Sequence, residues 1–351
     1  MKINQSYVKA VMLMAILLVC NSLLIGCGQG KIEVIKRDTY ALGTYIQMTI
    51  MDQTKEDGNR IIDLAIKRIN DIENEISVNK KNSKITEVNK NAGVKSVVVG
   101  DDAYYIIKKA YKYEKMTNGD FDISIYPLVK LWGIGTDYPK LPTSEEIKEK
   151  MDLINYKNVI INEDKSIFLE NKKQGIDLGG IAKGYIADEV KKVLRENGVE
   201  SGVINLGGNI MTIGSKMDGT DWKIGIQNPD TNRGQYFSIL DVKDKSIISS
   251  GGYERYFDQD GTRYHHILDP KTGYPSNSDL IGTTIISDYG IDGDALSTSV
   301  YISGLEKGIE LINKLEGIEC ILVTKDKKVY VSEGIKDDIV LDDDTFKFID
   351  K

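Results

Sequence analysis

Cysteine is almost absent from this chain: three in 351 residues, at positions 20, 27 and 320. So small a set excludes a disulfide-stapled scaffold and lends no support to a cysteine zinc site. Cys320 sits in the apolar run Cys320-Ile321-Leu322-Val323, where a buried structural thiol is expected, because a reactive thiol needs exposure and a nearby positive charge. Histidine is scarcer still, with only His265 and His266. Six prolines, no low-complexity tract and no repeat of 20–50 residues argue against a flexible inter-domain linker and against a solenoid. Basic residues form no stripe, which argues against nucleic acid as a partner.

The N-terminus does carry a long apolar run. Lys2 and Lys9 precede residues 10–26, which are apolar apart from Asn21 and Ser22 and end in Leu24-Ile25-Gly26-Cys27. Such a run is marginal for a spanning helix and fits the h-region of a secretory signal, with a small residue before the cut. An uncleaved anchor helix is the other reading. The Leu-Ile-Gly-Cys end resembles a bacterial lipobox. That resemblance implies removal of residues 1–26, diacylation of Cys27, and an extracytoplasmic protein lipid-anchored to the cell membrane. Two acyl chains hold where one would exchange, at about 0.8 kcal/mol per buried CH₂. Residues 27–31 then form a short tether and 32–351 the folded domain. Loss of Lys2 and Lys9 leaves 44 basic against 53 acidic residues, a net charge of −9. An acidic protein gains little from an anionic membrane surface, so lipid must do the anchoring.

Periodicity gives the class. Two strands flank Ala41-Leu42-Gly43-Thr44. Ile61, Leu64, Ala65, Ile69, Ile72 and Ile76 recur at helical spacing. Asp101-Asp102 caps a second helix, and Thr143 with Glu146 forms a capping box for a third. A hairpin spans 159–170, and Gly179-Gly180 turns into a helix that ends at Gly198. Strands dominate from 202 to 287, with a hairpin through Asp260-Gly261. Residues 294–314 read as a helix broken near Gly304, and 320–332 as a closing hairpin. Helices and strands mix without βαβ alternation. The expected class is therefore α+β, with mixed, largely antiparallel sheets and packed helices.

Three segments could carry chemistry. Asp177-Leu178-Gly179-Gly180-Ile181-Ala182-Lys183-Gly184 joins a strand to a helix N-terminus, where free N–H groups and a first-turn lysine suit an anion. It also reads as a plain glycine turn. His265 and His266 point to opposite faces of a strand, so one can enter a cleft. The turn Asp269-Pro270-Lys271-Thr272-Gly273 follows, and its carboxylate could orient an imidazole. Asp294 and Thr298 lie one helical turn apart on one face. They read as hard oxygen ligands for Mg²⁺, or as an N-cap and its neighbour.

Together with Asn205-Leu206-Gly207-Gly208-Asn209, Ser250-Gly251-Gly252-Tyr253-Glu254-Arg255, Phe121-Asp122-Ile123-Ser124, Pro127-Leu128-Val129-Lys130-Leu131-Trp132-Gly133 and Gly43-Thr44, these segments resemble the ApbE family of FAD:protein FMN transferases. The likeness runs in order over residues 40–304. It implies an ApbE-like, T-fold-like architecture. It also implies Mg²⁺-dependent transfer of the FMN phosphoryl moiety from FAD to a Thr or Ser hydroxyl of an extracytoplasmic acceptor flavoprotein, with release of AMP. The acceptor would belong to a membrane redox system. Carried over by position, Gly180 (through its carbonyl), Asp294 and Thr298 would hold the metal, with Ser297 beside them. Leu42, Asp120, Phe121, Asp122, Asp177, Lys183 and Leu268 would contact FAD. His266 would be the base; Asp269, from the reading of the turn beside it, is the second catalytic candidate. An ordinary histidine in that role implies a rate that rises with pH about a midpoint near 6–7. Leu42 and Asn79 depart from the family's usual Met and Tyr. The Asn79 exchange bears on the balance between transfer to protein and hydrolysis of FAD. An FAD pyrophosphatase using the same site and a non-catalytic flavin-binding lipoprotein are the competing readings.

Overall fold

The computed structural model describes residues 31–231 and 234–349. The expected signal peptide, Cys27 and all of the tether but Lys31 lie outside them. The described residues open with the hairpin β1 (Ile32–Ala41) and β2 (Thr44–Thr54). Then come α1 (Lys55–Ile76), α2 (Lys84–Lys90), β3 (Val97–Val98), α3 (Asp101–Met116), α4 (Tyr126–Trp132), α5 (Ser144–Met151), β4 (Val159–Ile161) and β5 (Ser166–Leu169). α6 (Ala182–Glu196) leads into β6 (Gly202–Leu206), β7 (Asn209–Ile213), β8 (Trp222–Gln227), β9 (Tyr236–Val242), β10 (Ser246–Gly251), β11 (Tyr256–Gln259), β12 (Thr262–His265) and β13 (Leu280–Ser287). α7 (Gly290–Ser303), α8 (Leu305–Ile312), β14 (Glu319–Thr324), β15 (Lys328–Val331), β16 (Ile339–Leu341) and β17 (Lys347–Phe348) complete it.

A nine-stranded sheet, ordered β1-β2-β6-β7-β10-β13-β14-β15-β17, forms the centre. Its pairs are antiparallel except β15 with β17. The α+β reading with largely antiparallel sheets therefore holds. Both faces are covered, and strand alternation divides the apolar residues between them. Along β14, Cys320 and Leu322 join the core under α1, α6 and α7. Ile321 and Val323 join Trp222, Ile224 and Phe237 beneath the small sheet β16-β9-β8. Cys320 is buried and its thiol is pushed up to about 12, chiefly by that burial, which suits a packing role.

Two local details place the site. First, α6 and α7 touch backbone to backbone. A Cβ on Gly184 would stand 2.1 Å from the Gly290 carbonyl oxygen and 2.8 Å from Asp294 Cβ, so only glycine permits this crossing. Second, α7 starts at Gly290, four residues before the expected start. Its free N–H groups are capped from the neighbouring helix: Asp188 accepts from Gly290 N (2.6 Å) and Ile291 N (2.9 Å). Asp294 is thus an interior residue and not the N-cap. The second helix of the sequence reading, α3, is likewise preceded by Gly100 without a side-chain cap. Asp102 there is held by Arg68 (2.7 and 2.5 Å) and by Tyr185 Oη (2.5 Å) instead. The capping box of Thr143 and Glu146 is present.

Candidate active site

A cavity of about 530 Å³ opens where the β6–β7 turn and the end of β10 meet the loop before α6, the wall of α7 and the residues after β12. Asp120, Phe121, Asp122, Asp177, Gly180, Lys183, His266, Leu268, Asp294 and Thr298 all line it. They come from four separate stretches of chain.

The 177–184 loop is tied down at both ends. Asp177 N–H donates to the Ile123 carbonyl (2.8 Å), and Asp177 Oδ1 accepts from Gly179 N–H (2.6 Å). Burial raises the Asp177 carboxyl, against the pull of the Gly179 N–H and the Arg255 charge. A side chain at Gly180 would come within 3.2 Å of the Phe121 ring and 3.9 Å of Thr298 Oγ1, so glycine leaves that gap open. Lys183 follows in the first turn of α6 and donates from Nζ to Asn209 Oδ1 (2.9 Å).

Asp294 is only 4% exposed. Its Oδ2 accepts from Gly184 N–H (2.9 Å) and its Oδ1 from Asn209 Nδ2 (3.0 Å). Both donors are neutral, so among the described residues the carboxylate has no cationic side chain bonded to it. Thr298, one turn on, shares the cavity wall. Ser297 is committed elsewhere. Its hydroxyl bonds Ser250 Oγ (2.8 Å) and the Asp294 carbonyl (3.0 Å), pinning α7 to β10. Among the described residues no three His, Cys, Asp or Glu side chains gather around a metal position. One buried carboxylate with a hydroxyl and a loop carbonyl is a poor zinc site, which asks for nitrogen or sulfur. It suits Mg²⁺, which binds through one or two carboxylates and fills its octahedron with phosphate oxygens and water.

Asp120, Asp122 and Leu268 line the same cavity. Asp120 is clamped by Lys271 Nζ and Ser303 Oγ. Asp122 accepts from Ser124 N–H (2.7 Å) and Tyr156 N–H (3.2 Å), and burial raises it. Behind it, burial and then the Asp122 charge raise buried Glu114 well above the usual range. Leu268 packs with Leu128, Trp132 and Ile147.

His266 closes the β11–β12 hairpin. Its backbone N–H (3.0 Å) and its Nδ1 (3.2 Å) both point at the Arg255 carbonyl. A carbonyl only accepts, so Nδ1 carries the hydrogen and Nε2 keeps a lone pair. Burial, then the charges of Arg255, His265 and Lys183, push the imidazole down to about 3. The ordinary midpoint expected from sequence is therefore corrected. His265 faces the other way and is buried. Its Nε2–H meets the Ser276 carbonyl (3.1 Å), and its ring stands edge-on to Tyr301 at 5.7 Å.

Two site candidates lie off the cavity wall. Leu42 takes a left-handed conformation (φ +57°) in the β1–β2 turn and packs against the core under the helices. Asp269 spends Oδ1 on Lys271 N–H (2.8 Å) and shapes the turn that carries Lys271 to Asp120. The imidazole is oriented by the Arg255 carbonyl, because β11 and β12 pair antiparallel and bring residues 255 and 266 face to face. Asn79 sits beyond α1, its N–H on Ser77 Oγ (3.3 Å), and is not on the cavity wall. Sequence reading missed the roles of Asn209 and Arg255. Both stood in quoted segments, 205–209 and 250–255, without a partner to interpret them.

The sequence pattern of the ApbE family matches residues 42–322. The chain belongs to the ApbE family. It is 36% identical over 292 residues to an FAD:protein FMN transferase of Klebsiella pneumoniae, covering 83% of this chain and 89% of the relative. A second, from Treponema pallidum, is 32% identical, covering 76% and 78%. Among solved structures, the ApbE protein of Thermotoga maritima superposes with a TM-score of 0.79 at 29% identity, over 86% of this chain and 98% of that one. The flavin transferase ApbE of Vibrio cholerae gives 0.79 at 26%, over 88% and 99%. The ApbE-like fold expected from the motifs is thus the observed one.

Proposed function

We propose that the protein is an FAD:protein FMN transferase dependent on Mg²⁺. One observation supports this above all: His266, its Nδ1 turned to the Arg255 carbonyl, borders the same cavity as Lys183 and the Asp294–Thr298 oxygen pair. In this reading a Thr or Ser hydroxyl of the acceptor attacks the FMN phosphorus. The new P–O bond forms as the pyrophosphate P–O bond breaks, and AMP leaves with the bonding electrons. His266 Nε2 takes the hydroxyl proton. Lys183, in the first turn of α6, meets the pyrophosphate where the helix dipole already favours negative charge. Asp294, Thr298 and the Gly180 carbonyl would hold Mg²⁺, which supplies charge neutralisation to a reaction that is mostly positioning and electrostatics. Phe121 and Leu268 offer apolar surface to the flavin. Incubation with FAD, Mg²⁺ and an acceptor peptide bearing Thr or Ser should give an adduct of FMN mass in a mass spectrum. Free FMN and AMP without adduct would make water the acceptor, and unchanged FAD would leave a binding protein; either overturns the proposal.

The reading extends to place. A lipid-anchored, extracytoplasmic enzyme acting on a flavoprotein of a membrane redox system agrees with the lipobox at Cys27. Cys27→Ser should leave unprocessed precursor or a soluble form on cell fractionation. A variant that stays processed and membrane-bound would refute the anchor.

A further inference from the structure

Lys183 and Asp294 carry opposite charges on one cavity wall, yet they do not bond to each other. Asn209 stands between them. Its Oδ1 accepts from Lys183 Nζ (2.9 Å) and its Nδ2 donates to Asp294 Oδ1 (3.0 Å). The amide orientation is fixed by its partners, since an ammonium only donates and a carboxylate only accepts. The side chain is 1% exposed, so these bonds are made away from water. Its place is fixed by a tight turn. Gly207 (φ +62°) and Gly208 (φ +104°) reverse the chain, and Asn209 pairs with Leu206 across the turn and with Ile248 of β10.

We propose that Asn209 is a positioning residue that acts as a neutral spacer, keeping Lys183 from neutralising Asp294. A direct ion pair would occupy both charges at once. The ammonium would be lost to a phosphate and the carboxylate to a divalent cation. A lysine stem is flexible enough to make that pair if the intervening group is removed. Few neutral side chains of this length accept at one atom and donate at another; aspartate cannot donate to Asp294, and leucine does neither. The amide therefore holds the two charges in register, polarised and apart. This inference rests on the assignment of Asp294 to the divalent cation.

The test is Mn²⁺ binding to the full chain without FAD, by calorimetry or by the spin-resonance signal of free Mn²⁺. The variants are Asn209→Ala, Lys183→Met, the two combined, and Asp294→Ala. Asn209→Ala should weaken Mn²⁺ binding about tenfold or more, as an ammonium takes over the carboxylate. Adding Lys183→Met should restore affinity to within about twofold of Lys183→Met alone. A structural defect at the turn would not be repaired by deleting a lysine. Asn209→Ser, too short to bridge, is the second variant should Asn209→Ala not fold, and it should show the same loss and rescue. Parent-like Mn²⁺ binding by a folded Asn209 variant, or a loss that Lys183→Met does not reverse, overturns the spacer. Parent-like binding by Asp294→Ala overturns instead the cation assignment beneath it.

Discussion

His266→Ala should lower the rate of flavin transfer about 10²–10⁴-fold, the usual contribution of a positioned general base, while FAD and Mn²⁺ binding stay near those of the parent. The imidazole is held neutral by burial and by the Arg255 charge, at about 3. It is therefore already a base across pH 5–8, and the parent rate should show no inflection from this group near 6–7. The stability linkage has a definite sign. Its folded pKa lies below the unfolded value near 6.5, so protonation favours the unfolded chain. The contribution is complete above the unfolded value and is lost as pH falls from there toward 3. Single-turnover transfer to an acceptor peptide between pH 5 and 8, beside FAD titration, checks both points. Equal rates for variant and parent, or a midpoint at 6–7 that disappears in His266→Ala, would contradict this assignment. His265→Ala acts on stability. It removes a donor from the buried Ser276 carbonyl contact and a ring from Tyr301, so a loss of about 1–3 kcal/mol in unfolding free energy is expected.

What the sequence made legible was local. Alternation and helical spacing located most strands and the long helices, because those signals depend only on neighbours along the chain. Gly198 at φ +83° and the Asp260-Gly261 turn at +52° and +76° fell where glycine and aspartate chemistry demanded. What stayed hidden was nonlocal. α7 begins within Gly290-Ile291-Asp292-Gly293, a poor helical start on propensity, because Asp188 caps it from α6. The short α4 was not read as a helix; Pro127 lies in its first turn, where its missing N–H costs nothing. β16 was missed because its partner, β9, lies about a hundred residues earlier. The site divides in the same way. Asp177, Gly180, Lys183, Asp294 and Thr298 stood in recognisable segments. Asn209 acquires a role only when the β6–β7 turn is laid against α6 and α7. Asp269 attracted attention as the nearest carboxylate in sequence, but the hairpin brings a backbone carbonyl nearer in space.

Asp294→Ala is expected to have the largest effect on chemistry together with a cost in stability. The cavity would lose the buried carboxylate carried by the same helix as Thr298, one turn before it, and, on the proposed assignment, the Mg²⁺ response. If the cation supplies several kcal/mol to the developing phosphoryl charge, the rate should fall about 10³-fold or more. Two donors, Gly184 N–H and Asn209 Nδ2, would then be buried without an acceptor. Each such loss costs about 1–3 kcal/mol, so the melting temperature should drop as well. Asp294→Asn separates charge from shape. It keeps the volume, but its own NH₂ must face one of those donors, so it removes the charge and still leaves one bond unmade. Thermal unfolding with and without Mn²⁺ reads the two effects apart. Bound cation should raise the melting temperature of the parent by mass action and leave both variants unmoved. A variant that is less stable yet still stabilised by Mn²⁺ would make Asp294 a clasp between α6 and α7, and the cation would have to bind elsewhere on the wall.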